Sequence, residues 1–156
     1  MKITLLAVGT KMPRWVDEAY ADYAKRLPRE ISLQLIEIKP EKRGGGVTAE
    51  KGIAAEHARL LAAIPPRARL LVLDERGKNW TTRQLADEMN GWMRNGDDLC
   101  ILIGGADGLH ADMKARADIL LQLSAMTMPH GMVRVLLAEQ IYRAISLIHG
   151  HPYHRE

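Results

Sequence analysis

The stretch HGHPYHRE at 149–156 gathers His149, His151, Tyr153, His154 and Arg155, so three of the chain's six histidines fall in eight residues. These side chains bind and move protons. An imidazole titrates near neutrality, a guanidinium stays charged and fits planar or phosphate anions, and a phenol ring can stack on a nucleobase. The spacing H-x-H-x-x-H also admits a metal reading. No Cys or carboxylate framework accompanies it, so no metal site is expected there. Just upstream, Glu139 and Arg143 are four residues apart, the favourable orientation for a helical ion pair. No G-x-S-x-G elbow occurs anywhere, which speaks against a serine hydrolase.

A second group of chemically suggestive residues lies where apolar runs give way to turn-forming segments: LDERG (73–77), IGGADG (103–108) and LSAMTMPHG (123–131). Gly104, Gly105 and Gly108 remove side chains directly after a buried run, so backbone amides can approach a ligand. The pattern G-G-x-x-G is neither the dinucleotide fingerprint nor a phosphate-binding P-loop with its Lys-Ser/Thr. Alone it reads equally as a tight turn; three such segments together point to a ligand site. Asp107 reads as a turn residue. His130, after Pro129, is open between loop support and substrate contact, and His57 and His110 read as ordinary surface or helix residues.

The elements that would position these groups follow from periodicity. Strands are expected at 2–8, 32–38, 69–74, 98–103 and 119–125, the third and fourth apolar on both faces as in a covered parallel sheet. Helices are expected at 13–27, 49–64, 81–94 and 133–150. The first starts with Pro13 at its first helical position and has a stripe of Trp15, Ala19, Tyr20, Tyr23 and Leu27. The third opens with Thr81 and Gln84 in capping-box spacing. Ile141, Ile145 and Ile148 form a stripe open to either core or dimer interface. Alternating strands and helices predict one α/β domain, 1–156, with a mainly parallel sheet. In such sheets ligands sit beyond the carboxyl ends of the strands, where the three turn-rich segments fall.

Composition excludes several classes. With 47% apolar and 26% charged residues the chain is globular rather than disordered. No stretch is long enough to span a membrane, and the start lacks a secretory signal pattern. The single Cys100, in DLCILIGG, excludes an internal disulfide framework and suits a reducing cytoplasmic setting, with core packing its expected role. The formal charge is +3, and the basic excess sits in the first 70 residues. Clusters at Lys25, Arg26, Arg29 and at Lys39, Lys42, Arg43 suit a polyanion such as RNA.

LDERGK, IGGADGL, LSAMTMPH, RVLLAEQIYRA and HPYHRE, in this order and spacing, resemble the RlmH family of small bacterial 23S rRNA methyltransferases, in the SPOUT superfamily. AVGTKMPRWVDEAYADYAKRLP and LIEIKPEKRG extend the resemblance over essentially the whole chain. It implies a SPOUT-type α/β fold with a C-terminal trefoil knot and helices on both faces. It also implies a homodimer that uses S-adenosylmethionine to methylate N3 of a pseudouridine in 23S rRNA of the assembled ribosome. The cofactor contacts would fall on Leu73, Gly104 and Leu123, Ser124, Ala125, Met126, Thr127 and Met128. The catalytic set would be Tyr153, His154, Arg155 and Arg143. A non-catalytic RNA- or ribosome-binding module is the alternative; it accounts for the basic half, not for glycine loops combined with a His/Arg tail.

Overall fold

A computed structural model of the chain describes residues 1–153; His154, Arg155 and Glu156 lie outside the described residues. Five strands, β1 (Lys2–Val8), β2 (Ser32–Ile38), β3 (Arg69–Asn79), β4 (Leu99–Ile103) and β5 (Ile119–Gln122), form one sheet in the order β2-β1-β4-β3-β5. Every pairing is parallel. Alternate residues of each strand point to opposite faces, and both faces are covered. Ile3, Leu5, Leu99 and Ile101 pack against α1 (Arg14–Ala24), α3 (Thr82–Asn95) and α5 (His130–Ile148). Leu6, Val8, Cys100 and Leu102 pack against α2 (Ala49–Ala63) and α4 (Ala111–Arg116). Cys100 is a core residue whose thiol burial pushes up to about 12, too high for a thiolate nucleophile. Ile141 and Ile145 are core residues, with Ile148 packed beside them.

Local signals explain most boundaries. Thr81 accepts the Gln84 amide while the Gln84 side chain accepts the Thr81 amide, so the capping box forms and starts α3 at Thr82. Thr48 caps α2 through the Lys51 amide. Gly96, at φ +75°, closes α3 in the left-handed conformation that glycine adopts without a Cβ clash.

Five details differ from the sequence expectation. Pro13 is the N-cap of α1 and lies outside the helix proper, and Trp15 is 52% exposed while Val16 takes its place in the core. The segment LDERG is no strand end: β3 loops out between Leu73 and Lys78, then resumes pairing with β5. Gly77 makes this possible, because a Cβ there would stand 2.5 Å from the Leu121 carbonyl carbon. Strand β5 stops at Gln122, releasing 123–125 into a loop. The short α4 has too few residues to show a helical period. Helix α5 starts at His130, placing that residue in its first turn.

Candidate active site

The carboxyl ends of the parallel strands open into a cavity of about 1050 Å³. The β3 loop-out supplies Leu73, Asp74, Glu75 and Arg76, the turn after β4 supplies Gly104–Leu109, and the loop after β5 supplies Leu123–Met128. All eight residues expected to touch a cofactor therefore face one space. The walls combine the small residues of the two loops after β4 and β5 with the charged side chains of Asp74, Glu75, Arg76, Asp107 and Lys114. Gly105 has no room for more, since a Cβ there would meet Val8 Cγ1 at 3.0 Å and Glu56 Oε1 at 3.4 Å. Ser124 Oγ accepts the Met126 amide at 3.0 Å and shapes the last loop, leaving Met126 79% exposed.

Two charged elements frame this cavity. Asp74 is held by Lys114 at 3.0 Å and accepts the Arg76 amide at 3.1 Å, which fixes the loop-out. At the start of α5, His130 lines the wall. Burial first, then the nearby Arg134 guanidinium, holds its pKa below the ordinary value. Arg134 is completely buried, paired with Glu37 at 2.6 Å and donating to the Gly9 carbonyl at 3.0 Å. That interaction ties the carboxyl ends of β1 and β2 to the base of α5. From sequence alone an arginine in a helix reads as solvated unless its distant acid is known.

The tail forms a second centre. Glu139 Oε1 accepts Arg143 Nη2 at 2.6 Å, Arg143 Nε at 2.8 Å and the Tyr153 hydroxyl at 3.0 Å, and Oε2 accepts Gln140 Nε2 at 2.9 Å. The Arg143 guanidinium lies 5.0 Å from the centre of the Tyr153 ring, and Tyr142 meets that ring edge-on at 4.6 Å. Burial foremost, then the Glu139 carboxylate, pushes the Tyr153 phenol up to about 12, so it stays a proton donor. Backbone bonds continue the anchoring: the His151 amide donates to the Ser146 carbonyl at 2.9 Å, and His151 Nδ1 accepts the Tyr153 amide at 3.2 Å. Arg143 and Tyr153 are thus brought together. His154 and Arg155, the other two expected catalytic residues, lie outside the described residues.

Cavity and tail stand at different levels of α5. From His130 to Arg143 is about 20 Å along a helix rising 1.5 Å per residue. Among the described residues, Arg143 and Tyr153 therefore stand at a different level of α5 from the expected cofactor residues.

The basic clusters are less available than their sequence suggests. Lys25 and Arg26 both pair with Asp22, whose pKa the Lys25 hydrogen bond foremost lowers, and Arg26 also lies over the Tyr23 and Tyr142 rings. Arg43 is bound to Glu56 and Asp107. His57, on α2, and His110, the N-cap of α4, stack with ring centres 4.5 Å apart. With Asp112 they form a group whose metal-ligating atoms lie within 4.8 Å of one another. There His110 Nδ1 already accepts the Asp112 amide that caps α4. Among the described residues no helix is long and apolar enough to cross a membrane.

A family model described as "Predicted SPOUT methyltransferase" matches residues 1–154. The chain is 80% identical over 156 residues to a ribosomal RNA large subunit methyltransferase H from Laribacter hongkongensis, covering all of both chains. It is 75% identical, again over all of both, to the protein of that name from Chromobacterium violaceum. Among solved structures, a methylase family protein from Haemophilus influenzae superposes with a TM-score of 0.59 at 12% identity, over 99% of this chain and 70% of that one. One from Neisseria gonorrhoeae gives 0.55 at 13% identity, over 90% and 81%. The two superpositions bear on the fold alone.

Proposed function

The chain belongs to the SPOUT methyltransferase family, and from that premise we propose that it methylates 23S rRNA of the large ribosomal subunit with S-adenosylmethionine as donor. The acceptor is N3 of a pseudouridine presented by the assembled ribosome, and the setting is the cytoplasm. The observation that carries the reading is the convergence of Leu73, Gly104 and Leu123–Met128 on one cavity at the carboxyl edge of the sheet. The reading includes one domain over 1–156 and the C-terminal trefoil knot, with these three segments as its walls.

The cavity suits a nucleoside-sized ligand. Its volume is ample, and its glycine turn is packed so closely that a Cβ at Gly104 or Gly105 would meet Leu109 or Val8. Leu73, Gly104 and the 123–128 loop would hold S-adenosylmethionine, which when bound supplies a methyl group on a positively charged sulfur. No metal takes part in this reading. The chain's own task is to hold an imide nitrogen in line and help it shed its proton. Arg143, fixed by two bonds to Glu139, presents a permanent positive charge that stabilises the resulting anion. Tyr153 offers an aromatic edge and a hydroxyl that remains protonated at neutral pH. His154 takes the imide proton, and Arg155 binds phosphate or the uracil-like anion.

The separation along α5 leads to a homodimer in which the tail of one protomer completes the cavity of the other. Transfer of labelled methyl to large-subunit rRNA in intact ribosomes tests the reading. Label with the full chain that vanishes in a chain ending at Gly150, while donor binding persists, is the expected result. Donor binding without label on this RNA would rule out the substrate, and no donor binding would favour a non-catalytic binding module.

A further inference from the structure

The glycine turn after β4 does not stand alone: it is bolted to a distant loop by one side chain. Arg43 sits in the segment 39–47, far from the turn in sequence. Its Nε donates to Asp107 Oδ2 at 2.8 Å, Nη1 donates to the Glu41 carbonyl at 2.7 Å and to Glu56 Oε2 at 3.2 Å, and Nη2 donates to Glu56 Oε1 at 3.4 Å. All three nitrogens of the guanidinium are engaged. Asp107 is part of the Gly104–Leu109 wall of the cavity, and Pro40, in the same segment as Arg43, lines that cavity too.

The rest of the neighbourhood is shaped around this contact. Glu56, on α2, is 3% exposed, and its Oε2 also accepts the Glu41 amide at 2.9 Å. Arg59 braces the loop from the next turn of α2, donating to the Lys39 carbonyl at 2.8 Å and to Glu41 Oε2 at 2.5 Å. Gly52, on α2, leaves the space the guanidinium occupies, since a Cβ there would stand 2.2 Å from Arg43 Nη1. Gly44, Gly45 and Gly46 all have positive φ, so the chain can reverse directly after Arg43.

We propose that Arg43 is a positioning residue for the methyl-donor site: it locks the 39–47 loop to the Gly104–Gly108 turn through Glu56 and Asp107, holding one wall of the cavity in its binding shape. This rests on the cavity being the donor site, as proposed above. Two carboxylates from different elements converge on one cation. A planar fork can serve both at once, whereas an ammonium is a point charge with a different reach. Removing the fork leaves the Glu56 carboxylate buried without its cation and frees the Asp107 turn. The effect belongs to donor binding, because the clamp touches the wall and none of the tail residues that would face the acceptor.

The test compares wild type with Arg43→Gln, Arg43→Lys and Asp107→Asn in the full chain. Donor affinity is measured by calorimetry with S-adenosylmethionine, KM and kcat by methyl transfer to ribosomes, and opening of 104–108 by amide hydrogen exchange. Arg43→Gln is expected to raise the donor KM and Kd by roughly ten- to a hundredfold, the size of one or two charge-assisted hydrogen bonds, with kcat within about threefold. Lys should fail to rescue, Asp107→Asn should cost less, and the effects of Arg43→Gln and Asp107→Asn should fall well short of additive. Exchange in 104–108 should quicken in Arg43→Gln.

Unchanged donor affinity with a weaker ribosome KM and a flatter salt dependence would overturn the proposal and make Arg43 an RNA-docking residue. Rescue by Lys would overturn the fork requirement. If even the wild type bound no donor, the donor-site reading itself would fall. The clamp would then be judged on exchange alone: quickened in Arg43→Gln sustains the lock, unchanged ends it.

Discussion

The cavity and the tail are built in opposite ways. Around the cavity, the glycine turn and charged side chains share the lining, and ion pairs brace it from other elements: Lys114 on Asp74, Arg134 on Glu37, Arg43 on Asp107. Around the tail, the charged and aromatic side chains are themselves at the front, gathered on the single carboxylate of Glu139. A cavity that must fit a defined ligand is made rigid by distant elements cross-bracing it. The tail is held instead by a local anchor on one helix. Stiffness comes from long-range contacts in the first and from short-range contacts in the second.

Substitutions that strike one region and spare the other probe this contrast. The largest effect is expected for Gly105→Val, which pushes a side chain into Val8 and the Glu56 carboxylate. Calorimetry should show donor affinity falling on the order of a hundredfold, as overpacking a closed site does, with tail anchoring unchanged. Arg134→Met leaves Glu37 and the Gly9 carbonyl without their buried partner. Thermal melting should show a loss of about 3 kcal/mol with the tail geometry intact.

Glu139→Gln makes the complementary cut. Arg143 and Tyr153 lose their shared acceptor charge, so methyl transfer should slow about tenfold while donor affinity stays within about twofold. Equal damage to donor affinity would break the division between the two regions.

The smallest effect is a pH dependence. Burial, and then Arg134, lower the His130 pKa from 6.5, and burial foremost lowers that of His57 as well. The folded chain therefore binds these protons less readily than the unfolded chain. Their contribution to stability is complete above pH 6.5 and is lost as pH falls from there through the lowered folded values. The melting temperature should drop over that range, and His130→Gln should flatten part of the drop.

Much of this arrangement is legible in the sequence because it is local or periodic. The buried runs of β1 and β4, the capping box of α3, the Glu139–Arg143 pair and the three turn-rich segments all announce themselves within a few residues. What stays hidden depends on partners far along the chain. Arg43 sits in a basic cluster that resembles an RNA-docking surface, and only the fold reveals Glu56 and Asp107 beside it. Arg134 is a charged residue in an apolar helix whose acid, Glu37, lies on strand β2. The loop-out of β3 is invisible because resumption at Lys78 depends on Gly77 resting on the β5 backbone. The His57–His110 stack likewise joins α2 to the N-cap of α4, more than fifty residues along the chain. Strand order and register do not report how the chain is threaded, so the knot rests on the family and not on periodicity.

The central claim is that the cavity of one protomer works with the tail of another. A mixed-chain complementation assay tests it most directly. Gly105→Val chains and chains ending at Gly150, each inactive alone, are unfolded together, refolded and assayed for methyl transfer to ribosomes. Shared sites predict recovery of about a quarter of wild-type activity, since half of randomly paired dimers are mixed and each has one intact composite site. A mixture as inactive as its two parents would contradict the claim and return the tail to the cavity of its own chain.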